Sequence, residues 1–243
     1  MNLTEMIYRR KSVRSFTNEL VSDEILNKIE EFVASAKPLY PEIKVKMEIV
    51  PRNQVKCICP WTTQQLITIF SEDKPGYLEN AGFIFQQLDL YLQSIGIGAC
   101  WLGMGTLTAD DVFEKQRKDG LKYVMMMAFG YPKGKALRDG KTDFKRKPLG
   151  EISDLEDERL EPARLAPSSV NSQPWYFAHE ENVIHVYCMH KGLLNKTLGN
   201  TNQLDVGIAL AHMYVANKDT FSFEKLDQHN NKKDCTYIGS FCI

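Results

Sequence analysis

Two short segments of the chain carry side chains that could bind an anionic cofactor. In the first, Arg10, Ser12 and Arg14 fall at alternate positions, so in an extended backbone all three side chains point the same way. Two guanidiniums and a hydroxyl are suitable charge-assisted donors for a phosphate dianion and for neighbouring carbonyl oxygens. A solvated basic turn is the alternative explanation of this segment when it is taken alone.

The second segment, residues 165–175, reads LAPSSVNSQPW. Pro167, Ser168, Ser169 and Asn171 stand between the end of a predicted helix and the start of a strand, where such residues are expected simply as turn formers. That explanation is sufficient for any three of them. The complete string is much more specific than its composition.

Two further segments have compositions that suit a ligand site. Residues 96–103 read GIGACWLG, and a small residue such as Gly103 lets the main chain approach a ligand closely. A helix C-cap followed by a buried Trp101 is a serious competing interpretation. Residues 144–152, FKRKPLGEI, contribute Arg146 and, taken alone, are typical of a charged linker.

Together the four segments resemble the FMN-dependent nitroreductase family, and the resemblance covers nearly the whole chain. It implies that Arg10, Ser12 and Arg146 hold the FMN phosphate, and that Arg14 lies near the flavin pyrimidine edge. It also implies that one loop passes the isoalloxazine ring with its backbone and that a second loop borders the ring of the flavin on the adjacent copy. The first of these loops contains Trp101, Leu102 and Gly103, and the second contains Pro167, Ser168, Ser169 and Asn171.

The implied function is that of an FMN-dependent oxidoreductase. It would take hydride from NAD(P)H and reduce a small electrophilic acceptor, such as a nitroaromatic or a quinone, by a ping-pong mechanism. Arg14 and Gly103 would tune the flavin, and no protein acid or base is required. Because the sequence contains no GxGxxG motif, NAD(P)H would bind only transiently. A flavin carrier or sensor without turnover is the main alternative, and an inactive structural pseudo-dimer is a third.

Composition restricts the class of protein further. The chain has 243 residues, of which 43% are hydrophobic and 25% are charged, as in ordinary globular proteins. A formal charge of -1 argues against nucleic acid as a partner. We expect a cytoplasmic protein without a membrane partner, because the sequence has neither a signal-peptide pattern nor a sufficiently long apolar run. The six cysteines and five histidines lack the spacing of a metal site, so no metal is expected.

Hydrophobic periodicity predicts the elements that position these segments. A helix beginning after Ser22 and ending near Pro38 is followed by strands at 43–49 and 66–70, a helix at 77–95, a loop at 101–105 and a strand at 123–129. The second half repeats this order at offsets of about 115–130 residues. Its elements are a helix at 160–166, a strand at 183–187, a helix at 204–217 and a strand at 237–242.

This repetition predicts an α+β, nitroreductase-like fold with a mixed sheet flanked by helices. Two degenerate copies, approximately 1–150 and 151–243, would be fused as a pseudo-dimer into one domain spanning 1–243, so that a monomer is feasible. The two long helices are apolar on most sides, and we expect each to pack against the other. Each binding motif occurs in one good version only, which predicts a single FMN per chain.

Overall fold

The chain forms two compact units in the computed structural model, which describes residues 2–57, 63–108, 110–190 and 201–243. Unit 1 comprises Met1–Tyr77 and Gln87–Gly140, and unit 2 comprises Leu78–Gln86 and Lys141–Ile243. The division at Gly140 falls before the expected boundary at 150. In the described part of the chain, no helix is long and apolar enough to cross a membrane.

Unit 1 is built on a four-stranded antiparallel sheet. Its strands are β1 (Val45–Pro51), β3 (Gln65–Ser71), β4 (Gly98–Leu102) and β6 (Lys122–Gly130), in the spatial order β1-β3-β6-β4. A small ribbon pairs β2 (Val55–Cys57) with β5 (Gly105–Leu107). The helices are α1 (Leu3–Ile7), α2 (Asp23–Ser35), the C-terminal half of α3 (Tyr77–Ser94) and α4 (Asp110–Lys118).

Unit 2 has a second four-stranded antiparallel sheet. Its strands are β7 (Trp175–Glu180), β8 (Val183–Met189), β9 (Ser222–Glu224) and β10 (Cys235–Cys242), in the order β7-β8-β10-β9. Its helices are α5 (Leu149–Ile152), α6 (Glu161–Arg164), α7 (Thr201–Ala216) and the N-terminal half of α3.

The two sheets have the same topology. In each sheet, the first two strands in the chain pair with each other and are followed by a long helix and then by a third strand, which lies at the edge of the sheet. The fourth strand lies between the second and the third. The α+β class is therefore confirmed, and the shared topology supports the predicted duplication. The prediction of a mixed sheet is wrong, because the pairings between the described strands are all antiparallel. Such pairings do not need the crossover connections that parallel neighbours require.

Most of the predicted elements are present. Helix α2 begins after Ser22, carries Asp23 and Glu24 in its positive first turn and ends at Ser35. The prediction of a loop at 101–105 is wrong in part, because Trp101 and Leu102 end strand β4. The helix expected at 160–166 is shorter than predicted, with one 3-10 turn, Glu158–Leu160, leading into α6.

Within unit 2, the long helices α3 and α7 meet backbone to backbone. A methyl group placed on Gly82 would overlap the carbonyl of Leu204, and one placed on Gly207 would overlap the carbonyl of Glu79. These two glycines are required for the close approach. The prediction that the two apolar helices pack against each other is confirmed.

A buried histidine links the same two helices to α6. The Nδ1 atom of His212 lies 2.9 Å from the carbonyl oxygen of Pro162, and its Nε2 atom lies 3.1 Å from Nε2 of Gln86. Because a carbonyl only accepts, Nδ1 carries the proton and Nε2 accepts from the glutamine amide. His212 is thus a satisfied core residue with both ring nitrogens in use.

Candidate functional site

The first predicted segment lies along strand β4 in unit 1. The backbone N–H of Val13 donates to the carbonyl of Ala99 at 2.9 Å. The Val13 side chain is buried against Gly98, where a Cβ would come within 2.9 Å of it. This packing fixes the segment beside the strand that ends in Trp101 and Leu102.

Arg10 is buried in an ion pair. Its Nε lies 2.8 Å from Oδ2 of Asp89 on α3, and the two side chains are 1% and 0% exposed. Its Nη2 donates to Oγ of Ser12 at 3.4 Å. An enclosed guanidinium does not suit an accessible phosphate donor, and the phosphate role predicted for Arg10 stays a prediction.

Arg10, Ser12 and Arg14 come together around the thiol of Cys100. Burial raises the pKa of Cys100, while the positive charges of Arg14 and Arg10 and a hydrogen bond with Ser12 act in the opposite direction. The thiol is thus protonated at neutral pH. Of the three predicted residues, Arg14 is exposed and Ser12 is partly exposed.

The end of β4 carries three further predicted residues with different surroundings. Leu102 is 3% exposed and packs in the same hydrophobic core as Val13, whereas Trp101 is half-buried. Gly103 is exposed, and among the described residues no atom lies within 4 Å of the position that a Cβ would occupy there. Its backbone is therefore accessible, and its contact with a flavin stays a prediction.

The second predicted loop has an unusual backbone conformation. Val170, Asn171 and Gln173 have φ angles of 48°, 58° and 48°, in the left-handed region that favours glycine. Such conformations cost about 1–3 kcal/mol each and persist only when surrounding contacts impose them. Val170 is 69% exposed, so an apolar side chain extends into solvent at the tip of this loop.

Arg146 supplies several of the contacts that impose this shape. Its Nε donates to the carbonyl of Ala166 at 2.9 Å, and its Nη1 donates to Oδ1 of Asn171 at 2.7 Å. Its Nη2 lies 3.4 Å from the carbonyl oxygen of Leu165. The structure thus brings two predicted residues of unit 2, Arg146 and Asn171, into direct contact.

The rest of the loop is held by its own polar groups and by its neighbours. The backbone N–H of Gln173 donates to Oγ of Ser168 at 2.9 Å, and the N–H of Lys147 donates to Oε1 of Gln173 at 2.9 Å. Pro167 is buried. The buried atoms Ser172 Oγ and Trp175 Nε1 have no hydrogen-bond partner among the described residues.

Asp205 on helix α7 holds the loop at 165–175 through the backbone of Ser169. Both of its carboxylate oxygens accept the backbone N–H of Ser169, at 3.1 and 3.0 Å, and Oδ1 lies 3.5 Å from the Ser169 hydroxyl. Burial raises the pKa of Asp205 to about 8, although the hydrogen bonds from Ser169 act to lower it.

This raised pKa predicts a specific pH dependence of stability. An acid whose pKa is higher in the folded than in the unfolded chain favours folding while it is protonated, so its contribution is lost as the pH rises from about 4 to about 8. Asp205→Asn keeps an acceptor for Ser169 and does not titrate. We expect the unfolding free energy of the wild type, relative to this variant, to fall by on the order of a few kcal/mol between pH 5 and pH 8.

Denaturant unfolding of both proteins across this range checks the prediction. Asp139→Asn is the matched control. The hydrogen bond from Lys135 and its charge lower the pKa of Asp139, so this variant should change the profile only in the acid range. Parallel profiles for the wild type and Asp205→Asn would show that Asp205 does not titrate in this way.

Sequence reasoning missed Asp89, Gln93 and Asp205. All three are buried polar residues in helices with many apolar residues. Their position among apolar residues was the available signal, because a buried carboxylate or amide requires a partner. The described residues contain no group of three or more potential metal ligands, and the five described cysteines are free thiols.

Comparison with known proteins identifies the family. Residues 2–217 match the family described as "Putative TM nitroreductase". The chain belongs to this nitroreductase family.

The chain is also similar to solved structures. A crystal structure described as that of "a putative nitroreductase" from Thermotoga maritima MSB8 is similar over 100% of this chain and 93% of that chain, with 21% identity and a TM-score of 0.66, which agrees with the fold. A nitroreductase family protein from Clostridium difficile 630 has 16% identity and a TM-score of 0.49 over 63% of this chain and 96% of that chain. One from Clostridium novyi NT has 18% identity and a TM-score of 0.45 over 55% and 87%. No curated protein sequence matches the chain.

Proposed function

We propose that the protein is an FMN-dependent oxidoreductase that takes hydride from NAD(P)H and reduces a small electrophilic acceptor such as a nitroaromatic or a quinone. The observation that carries this proposal is the family match over residues 2–217, which includes all four segments predicted from the sequence to contact the flavin. The contacts within each unit support it.

The residues present suit the chemistry of FMN. Unit 1 offers an exposed cation at Arg14, a hydroxyl at Ser12 and the open backbone of Gly103. Unit 2 offers a loop whose left-handed backbone is imposed by Arg146 and Asp205. Strained backbone of this kind clusters at ligand sites.

When bound, FMN would accept hydride from NAD(P)H and pass electrons to the acceptor in two separate half-reactions. Arg14 would stabilise the negative charge of the reduced cofactor, and the backbone N–H of Gly103 would orient its ring. Ser168, Ser169 and Asn171 would border the ring. The sequence has no separate dinucleotide-binding motif, so both substrates would use the same space in turn.

We also propose that two copies, approximately residues 1–150 and 151–243, descend from one duplicated ancestor and that the chain binds one FMN without needing a second chain. The shared strand order of the two sheets supports the duplication. One good version of each binding motif supports the stoichiometry. Flavin titration of the purified monomer should saturate at one FMN per chain, and saturation at two equivalent flavins would contradict this proposal.

The decisive experiment is release and identification of bound flavin, followed by anaerobic titration of the holoprotein with NADH and NADPH. Rapid bleaching that a nitroaromatic or quinone reverses, with parallel-line steady-state kinetics, is the expected result. A bound flavin that neither nicotinamide reduces would favour a carrier or sensor. A colourless protein that FMN does not restore would favour an inactive structural role.

A further inference from the structure

We propose that unit 2 binds a small zwitterion, an α-amino acid with a short side chain, in a cavity on one face of its sheet. The cavity is lined by strands β7 and β8, by Asp154 and by the connection at 225–234 that joins β9 to β10. All of these residues belong to unit 2. The inference goes beyond the proposed function and does not depend on it.

A row of three tyrosines holds the connection over the sheet. Tyr176, Tyr187 and Tyr237 are register partners on β7, β8 and β10, and such partners project from the same face. The hydroxyl of Tyr187 donates to the carbonyl of Asn230 at 2.7 Å. The ring of Tyr237 stacks on that of His229, with the ring centroids 3.8 Å apart. The connection is therefore fixed across the tyrosines.

The neighbouring row of the same face leaves space next to the connection. Its members are Ala178, His185 and Ser240, and two of these three side chains are small. Because the tyrosines hold the connection in place and Ala178 is too short to fill the gap, a cavity of about 190 Å³ remains. A cavity of about 150 Å³ accommodates benzene, so this one has room for a small organic molecule.

Glu180 supplies the negative side of the cavity. Because a carboxylate only accepts, Nε2 of His185 donates to one of its oxygens at 2.9 Å, while Nδ1 of His185 lies 2.7 Å from the hydroxyl of Ser240. His185 and Ser240 are 3% and 1% exposed, so this buried pair fixes the carboxylate. The second oxygen of Glu180 bonds no described residue, and Asp154 adds another carboxylate to the lining.

Lys232 supplies the positive side. Its ammonium lies 3.9 Å from the centroid of the Tyr176 ring, a cation–π contact that holds the side chain without neutralising its charge. Within the described ranges, no carboxylate forms an ion pair with Lys232. Asn230 and Asn231 also line the cavity and add neutral side-chain donors at this end.

The two charged sides define the class of ligand. An ammonium group suits the carboxylates of Glu180 and Asp154, and a carboxylate suits Lys232, because hydrogen bonds between ionised partners are the strong ones. A singly charged molecule of the same size would leave one side without a partner. An amino acid such as alanine satisfies both sides and fits the volume.

NMR titration of the full chain with L-alanine, propionate and ethylamine tests this inference. Propionate and ethylamine each lack one of the two charges of alanine and are otherwise of similar size. We expect saturable binding of L-alanine that shifts the amide signals of Ala178 and Tyr187, and about 10- to 100-fold weaker binding of each singly charged probe. No saturable binding of L-alanine, or equal affinities for the three probes, would overturn the inference.

Variants locate the two charged contacts. Glu180→Gln and Lys232→Met should each weaken L-alanine binding by about 10- to 100-fold, but the first should not weaken propionate binding and the second should not weaken ethylamine binding. Ala178→Leu fills the cavity and should abolish the binding of all three probes. Glu181→Gln and Lys233→Met are the matched controls, because both residues are exposed and neither lines the cavity. Equal losses in the controls, or unchanged binding in Ala178→Leu, would place the ligand elsewhere.

Discussion

Gly207→Val is expected to lower the free energy of unfolding by ~3 kcal/mol or more. A Cβ at this position would overlap the carbonyl of Glu79, which belongs to the backbone of helix α3 and has no rotamer with which to move away. Helix α7 is buried almost throughout, so the added groups find no solvent-filled space. The helices would have to separate, which would leave gaps in the interior of unit 2.

Denaturant unfolding of the variant and the wild type measures this loss. Gly140→Val is a suitable control, because no atom of the part of the chain that the structure describes lies within 4 Å of the Cβ position there, and its φ is not in the left-handed region. Gly82→Val should resemble Gly207→Val, because its Cβ would meet the carbonyl of Leu204. Equal stabilities of Gly207→Val and Gly140→Val would mean that α3 and α7 do not approach as described.

Arg146→Ala is expected to weaken flavin binding by about 100-fold, because a relaxed loop must be returned on binding to left-handed conformations that cost about 1–3 kcal/mol each. The bonds to Ala166 and Asn171 impose a left-handed backbone on the loop, and without them the loop should relax to less costly conformations. Arg146→Lys should rescue little, because a single ammonium cannot reproduce the planar fork of donors.

Fluorescence titration with FMN and with riboflavin separates the two roles that Arg146 could have. If the residue acts by shaping the loop, both affinities should fall to a similar extent. If it contacts the phosphate, as the family resemblance implies, the affinity for FMN should fall much further. Arg159→Ala is the matched control, because Arg159 is 62% exposed and pairs with Asp157. Unchanged affinity for both flavins in Arg146→Ala would remove the residue from the site.

The sequence alone was sufficient for many of the local elements and for the family. The alternating pattern before Val50 and the apolar run of β3 predicted strands, and the apolar periodicity after Gly76 predicted helix α3, because these elements follow from the spacing of apolar residues along the chain. The match over residues 2–217 confirms the family that the four segments together predicted. The flavin contacts of the individual site residues stay predictions.

Strand β4 shows where local reasoning fails. A loop was predicted at 101–105, yet Trp101 and Leu102 end a strand that begins at Gly98 and pairs with β6. Glycine is unfavourable within a strand in isolation, but here its missing side chain makes room for Val13. Only the presence of that distant neighbour makes the glycine favourable.

The charged residues of the site show the same difference between what the sequence determines and what the tertiary structure determines. The sequence determined which residues could act at the site, since Arg10, Arg14, Arg146 and the loop at 165–175 are recognisable from type and spacing. The tertiary structure decided that Arg10 pairs with Asp89 in the interior while Arg14 stays exposed. The physical reason is that the cost of burying a charge depends on partners brought from elsewhere in the chain, and the alternation of residues within one segment carries no information about them.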